Sequence, residues 1–386
     1  MNELIWGVPF AGLLLSIAIL PAAAPRFWHH NMGWVSLAWA VALLGPKLVV
    51  AGPGAAWHVL WHAFMGEYLP FVTLIGALYV AAGGILLRGG PGGRPWGNTA
   101  LLALGVGLGS FMGTTGAAMV TIGPLLHANA HRTRKLHLAL FAIVLVGNAG
   151  GALTPLGDPP LYIGLLRGVP FFWPTVNLFP MFLLVNGLLL GLFFIVDTIL
   201  ARSEPPPPPR EPMRVRGWAN VALLGVVIAS VLEQAYWPIA TLSILGLDVT
   251  VGRLICIGAC IGVMIVSMRI TAPAIRRAND FSWHPMIEVG VLFAGIFVTI
   301  DPVLTMLGQG LYGPIGPLLR TIVDPATGLV IPLACFWMTG ILSAFLDNAP
   351  TYLVFFEMAK VDPTAIEGHK QTILMAISAG AVFFGA

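Results

Sequence analysis

The 386-residue sequence predicts an all-α polytopic membrane protein built from two related halves, and three observations carry that prediction. Hydrophobic residues make up 58% of the chain against 9% charged, with a mean hydropathy of +0.89, which leaves too few charges to coat a water-soluble globule of this length. Apolar segments of about 20 residues, the length a ~30 Å hydrocarbon core requires, recur along the chain. One of them, residues 138–166, carries four Gly and three Pro between Gly147 and Leu161, so its helix must break at membrane depth.

The elements follow in order. Met1 to Leu20 is apolar from its start and has Glu3 where a secretory signal would carry a basic region; it reads as a first span closed by Pro21 and Pro25. With Met32 to Val50 it makes residues 1–64 a peripheral N-terminal pair. Residues 65–201 form a first repeat, opening with the span Leu69 to Leu87. Residues 98–127 are punctuated by Gly105, Gly107, Gly109, Gly113 and Gly116, with Ser110, Thr114 and Thr115 at the centre. They read as a re-entrant hairpin whose tip is Gly113 to Gly116, because Arg88 and Arg94 precede it and Arg132, Arg134 and Lys135 follow. The broken helix 138–166 comes next, then the span Val176 to Leu200.

Residues 202–217, with Pro205 to Pro209 in a row and Arg202, Arg210, Arg214 and Arg216, read as a stiff, solvated cytoplasmic linker. A second repeat, 218–386, contains Trp218 to Leu232, Ile239 to Leu247 with Leu254 to Met268, Pro285 to Leu307, a second hairpin at 328–358 and a final helix from Thr372. An outside N-terminus places most of the 19 Lys and Arg residues on one side, which should be the cytoplasmic side of the inner (plasma) membrane. The two hairpins then enter from opposite faces, as an inverted repeat requires.

The halves can be overlaid. Gly107, Ser110, Thr114, Thr115, Gly116 and Ala118 fall on Gly340, Ser343, Asp347, Asn348, Ala349 and Thr351 at one constant offset, and after a one-residue gap Ala142, Ile143, Gly151 and Ala152 fall on Ala376, Ile377, Gly385 and Ala386. A copy of Leu153 to Pro160 would begin where the sequence ends, so a natural chain continuing for roughly 50 more residues is expected from the length of the first repeat.

A helix broken in lipid strands its backbone N–H and C=O groups unless they line a wet cavity or bind something, and polar side chains at such breaks are how carriers hold ions near the midplane. Asn148, Thr154 and Asp158 sit at the break. A Gly/Pro loop outside the lipid is the competing reading; the apolar residues leading in, and Leu161 to Leu166 leading out with no charge but Asp158, argue against it. Small net charge (+3) and dispersed basic residues do not call for nucleic acid. Cys256, Cys260 and Cys335 read as packing residues, since no His or Cys neighbours complete a metal set.

Gly150 to Pro160 (Gly-Gly-Ala-Leu-Thr-Pro-Leu-Gly-Asp-Pro-Pro) resembles the unwound segment of the ion transporter superfamily, and Gly113-Thr114-Thr115-Gly116 and Leu346-Asp347-Asn348-Ala349-Pro350-Thr351 resemble its two hairpin tips. The chain is most similar to NhaD-like sodium/proton antiporters and the related citrate-transport (CitMHS-like) family, across about Tyr68 to Ala386. The resemblance implies an inverted-repeat secondary transporter with two re-entrant hairpins and broken transmembrane helices, commonly dimeric. Dicarboxylate members carry Ser-Asn-Thr at both tips, whereas this chain has Thr-Thr-Gly and Asp-Asn-Ala. Asp347 puts negative charge where an anion would approach, which favours a cation as solute, although a sodium-neutralised Asp347 also suits a symporter.

The expected ion- and proton-binding set is Asp347 and Asp158, with neutral oxygens from Asn348, Thr351, Thr114, Thr115, Asn148 and Thr154, and backbone at Gly113, Gly116, Gly151, Gly157, Pro159 and Ala349. Na+ would sit at the Asp347 and Asp158 region as transported or coupling ion, with no cofactor. Helix capping is the competing role for both acids. Asp301, before Pro302, is a further intramembrane acid, while Glu67, Glu233, Asp197 and Glu288 read as interfacial and His127, His131 and His137 as loop residues. The leading expectation is exchange of Na+ or Li+ for H+; the alternative is sodium- or proton-coupled transport of citrate or another small carboxylate. No His-Glu-x-x-His, Gly-x-Ser-x-Gly or phosphate-cradling loop supports an enzyme. A channel would share the topology without alternating access.

Overall fold

The computed structural model describes residues 3–90, 92–209, 211–237, 240–361 and 366–385. Arg210 of the linker, Ile239 at the start of an expected span and Ala386 of the overlay lie outside them. The N-terminal helices are α1 (Val8–Ala23), α2 (Pro25–Ala51), α3 (Pro53–Trp61) and α4 (Leu69–Ala82). A wide π turn, His62–Tyr68, joins α3 to α4. Pro70 has no N–H to offer the carbonyl of Gly66, and the Arg253 guanidinium donates to that oxygen instead at 3.4 Å. The strand β1 (Leu86–Gly90) follows, and then the helical hairpin α5 (Pro95–Met112) and α6 (Thr114–Ala128). The broken region is α7 (Leu136–Ala142), a π turn to Asn148, a 3-10 turn at Ala149–Gly151, irregular chain, and α8 (Pro159–Leu166). The long α9 (Trp173–Ala201) closes this half.

The second half runs through β2 (Glu211–Arg216), α10 (Trp218–Tyr236), β3 (Thr241–Ile244), β4 (Leu247–Thr250), α11 (Val251–Ile270), α12 (Pro273–Ala278), α13 (His284–Gly308), α14 (Gly316–Leu319), the hairpin α15 (Pro332–Phe345) and α16 (Asn348–Met358), and α17 (Gly368–Phe383). Among the described residues seven helices are long and apolar enough to cross a membrane, which makes this an all-α polytopic membrane protein. Helix α13 and the helix running from Pro53 to Ala82 are mostly buried, with Phe71 stacked on Phe293 at 4.4 Å, whereas α1, α2 and α9 present apolar side chains such as Leu15, Trp34 and Leu188 outward. Lipid-facing helices keep such residues exposed because the solvent there is hydrocarbon.

Two expectations change. The apolar stretch ending at Leu247 is part of a β-hairpin, not of a span: Ile244 pairs with Leu247, and Leu245 and Gly246 have φ of 52° and 84°, the two positive values a two-residue reverse turn needs. The linker is not wholly free, because β2 pairs antiparallel with β1, joining the halves on the basic side.

Candidate functional site

The hairpin of the first half reverses at Gly113, whose φ of 76° and ψ of 148° suit glycine alone. This reversal carries Thr114 to the broken segment, where its N–H donates to the Gly157 carbonyl at 3.1 Å. The break folds back on itself tightly: a Cβ on Gly157 would lie 2.2 Å from the Gly151 oxygen, and one on Gly151 would meet both Thr114 and the Cβ of Asp158. Gly116 packs on Ala82 with no room for a side chain.

Asp158 is the residue before α8, with Pro159 as the first helical residue, yet its side chain makes no capping bond. The carboxylate is buried, and its Oδ2 accepts a hydrogen bond from Asn348 Nδ2 at 2.9 Å, across the two halves. Asp347 occupies the matching place before α16 and does cap, accepting from the Ala349 N–H at 3.4 Å; it lies within electrostatic reach of Asp158. Thr351 donates to the Asp347 carbonyl at 2.8 Å. Asn148 donates to the Gly385 carbonyl, and a Cβ on Gly385 would meet Asn348 Nδ2 at 3.2 Å, so the end of α17 closes the cluster. Thr154 is buried and donates to the Ser110 carbonyl.

Two expected residues stand apart. Thr115 is exposed, turned away from the direction of buried Thr114, because successive helical residues point about 100° apart. Asp301 is engaged by Lys47 at 3.3 Å. Others went unrecognised. Ser110 donates to Gly150 O at 2.6 Å and accepts from Leu153 N–H at 3.3 Å, stitching hairpin to break, and buried Asn186 of α9 reaches Ala149 O at 3.4 Å. The overlay already paired Ser110 with Ser343, which donates to Ala381 O at 2.9 Å; Asn186 left no local signal.

Three residues read as interfacial or as loop are internal. Glu67 accepts from Arg167 at 2.5 Å, and Arg167 also bonds Glu357 at 2.9 Å. Asp197 is fully buried, accepting from Arg132 and from Asn98 at 2.9 Å and pairing with His137 at 2.8 Å.

The cluster therefore gathers two carboxyl groups, the Asn148 and Asn348 amides and backbone of the break from both halves. Among the described residues no three His, Cys, Asp or Glu side chains converge as a metal set. A comparison with curated proteins finds no match. The family described as putative citrate transport has a model that matches residues 1–386, the whole sequence, and the chain belongs to that family.

Proposed function

We propose that the chain carries a small carboxylate of the citrate class across the membrane together with a cation. The observation that carries this reading is the Asn348–Asp158 bond, made between the halves in a member of a citrate-transport family. A bare citrate would be repelled by Asp158 and Asp347; a cation held between them removes that repulsion and leaves the Asn148 and Asn348 amides to donate to substrate oxygens. Binding of the two solutes is then mutually supporting, which is the thermodynamic basis of coupling. Backbone carbonyls of the break, which keep a second lone pair where Ser110 and Thr114 already bond Gly150 and Gly157, complete an oxygen shell for Na+. The basic loops face the cytoplasm of the inner membrane in this reading.

Exchange of Na+ or Li+ for H+ is the second reading. It is favoured by one feature: among the described residues neither Asp158 nor Asp347 has a Lys or Arg side chain in an ion pair with it. A carboxylate so placed can trade a proton for a cation without any organic substrate.

Reconstituted protein distinguishes the two. Labelled-citrate uptake driven by a Na+ or H+ gradient is expected, and is lost in Asp347→Asn. Na+-induced proton flux with no citrate uptake would overturn the first reading in favour of exchange.

A further inference from the structure

Helices α8 and α16 start at the candidate site and run away from it side by side, bonded at both ends. Near the site Asn348 donates to Asp158, and at the other end Arg167 donates to Glu357; both pairs have the same sequence separation of 190 residues. An equal separation at the two ends means that the helices are parallel and in register, with the two bonds roughly 13 Å apart at the ordinary helical rise. Between them the helices touch closely, since a Cβ on Gly164 would lie 2.6 Å from the Tyr352 hydroxyl oxygen.

We infer that Arg167 is a positioning residue that sets the register of α16 against α8, and so holds the Asn348 amide on the Asp158 carboxylate. This rests on the reading of that cluster as the transport site. The guanidinium is suited to the task because its planar fork presents separate N–H groups in fixed directions. One arm, Nη1, takes Glu357; the other, Nη2, takes Glu67 on the π turn before α4, which fixes the pair to the buried helix of the first half. Sliding α16 by one residue moves it ~1.5 Å along its axis, enough to break both bonds at once. Arg167 touches no candidate solute; its effect on binding passes entirely through Asn348.

The test uses the full chain with Arg167→Gln, Glu357→Gln and the double variant. Each single variant is expected to raise the half-saturating cation concentration for uptake by roughly tenfold, about what loss of one good hydrogen bond gives. The maximal rate should change little, the melting temperature should fall in Arg167→Gln, which strands buried Glu67, and change little in Glu357→Gln, and the double variant should be no worse than Arg167→Gln. Hydrogen exchange of backbone amides at 346–351 should quicken in the same variants, a readout that needs no transport. Unchanged exchange there in Arg167→Gln, or additive effects in the double variant, would overturn the assignment. If Arg167→Gln does not fold, Glu357→Gln, which leaves the Glu67 pair intact, decides alone. Wild-type protein without cation-coupled uptake would sink the reading of the site, while exchange still judges the clamp.

Discussion

Asp158 is buried and precedes a helix without capping it, so its carboxyl meets the neighbouring half of the chain rather than its own helix start. Asp158→Asn keeps the shape and the helix start but removes the charge. Cation dependence of uptake should fall by at least about tenfold, the effect of ~1.4 kcal/mol, with a wild-type melting temperature; an unaltered cation dependence would exclude this acid from the site. A second carboxylate is informative outside the membrane. The N–H of Thr133, the N–H of Arg134 and the Thr133 hydroxyl hold the Glu204 carboxyl below the usual glutamate range. A lowered pKa in the folded chain means that this anchor is fully present above the ordinary value of about 4.3 and is lost as pH falls through the lower, folded one. Amide exchange at Thr133 and Arg134, corrected for its intrinsic pH dependence, should therefore stay slow through pH 5 and quicken only below the ordinary glutamate range. In Glu204→Gln it should be fast throughout.

At the level of elements, the hairpin α5–α6 depends on one backbone geometry. Gly113→Ala puts a Cβ into a conformation reserved for glycine, at a cost of roughly 1–3 kcal/mol. The Gly113 Cβ would otherwise meet only ordinary contacts at 3.6 Å, so strain and not crowding is the cause. The expected outcome is a folded protein with a lowered melting temperature and a displaced Thr114–Gly157 contact, visible as faster exchange of the Thr114 amide. The hairpins and the break were legible in the sequence because glycine clusters and proline runs act through the local backbone. The β3–β4 hairpin was not, because a short apolar run satisfies both a helix and a strand, and Trp61, which donates to Ile244 O at 2.9 Å, is distant in sequence.

Across the whole molecule, the feet of the first hairpin are tied to α9 by a buried polar network. Asn98 and Asn129 exchange hydrogen bonds at 3.0 and 2.8 Å, Asn98 also binds Asp197, and Arg132 reaches both Asp197 and the Gly93 carbonyl. Removing Asp197 strands a buried guanidinium. Asp197→Ala should lose roughly 3–5 kcal/mol in denaturant unfolding in detergent, and Arg132→Met in the same background should restore part of it. Hydropathy placed Asp197 near a span end and His137 beside the basic loop, but it does not read which face of a helix meets protein; the same blindness hid Glu67.

What the sequence by itself determined is the class and the breaks at Gly113 and between Gly147 and Leu161, because lipid allows only helices to span it and Gly and Pro break helices wherever they fall. Tertiary structure alone decided that Asp158 meets Asn348 and not a capping N–H, that Thr115 turns away while Ser110 joins the break, and that Arg167 ties one half to the other. The first and last depend on the register of helices 190 residues apart in sequence and the Ser110 contact on a segment 40 residues away, and no local pattern encodes a contact that only close packing of distant segments creates.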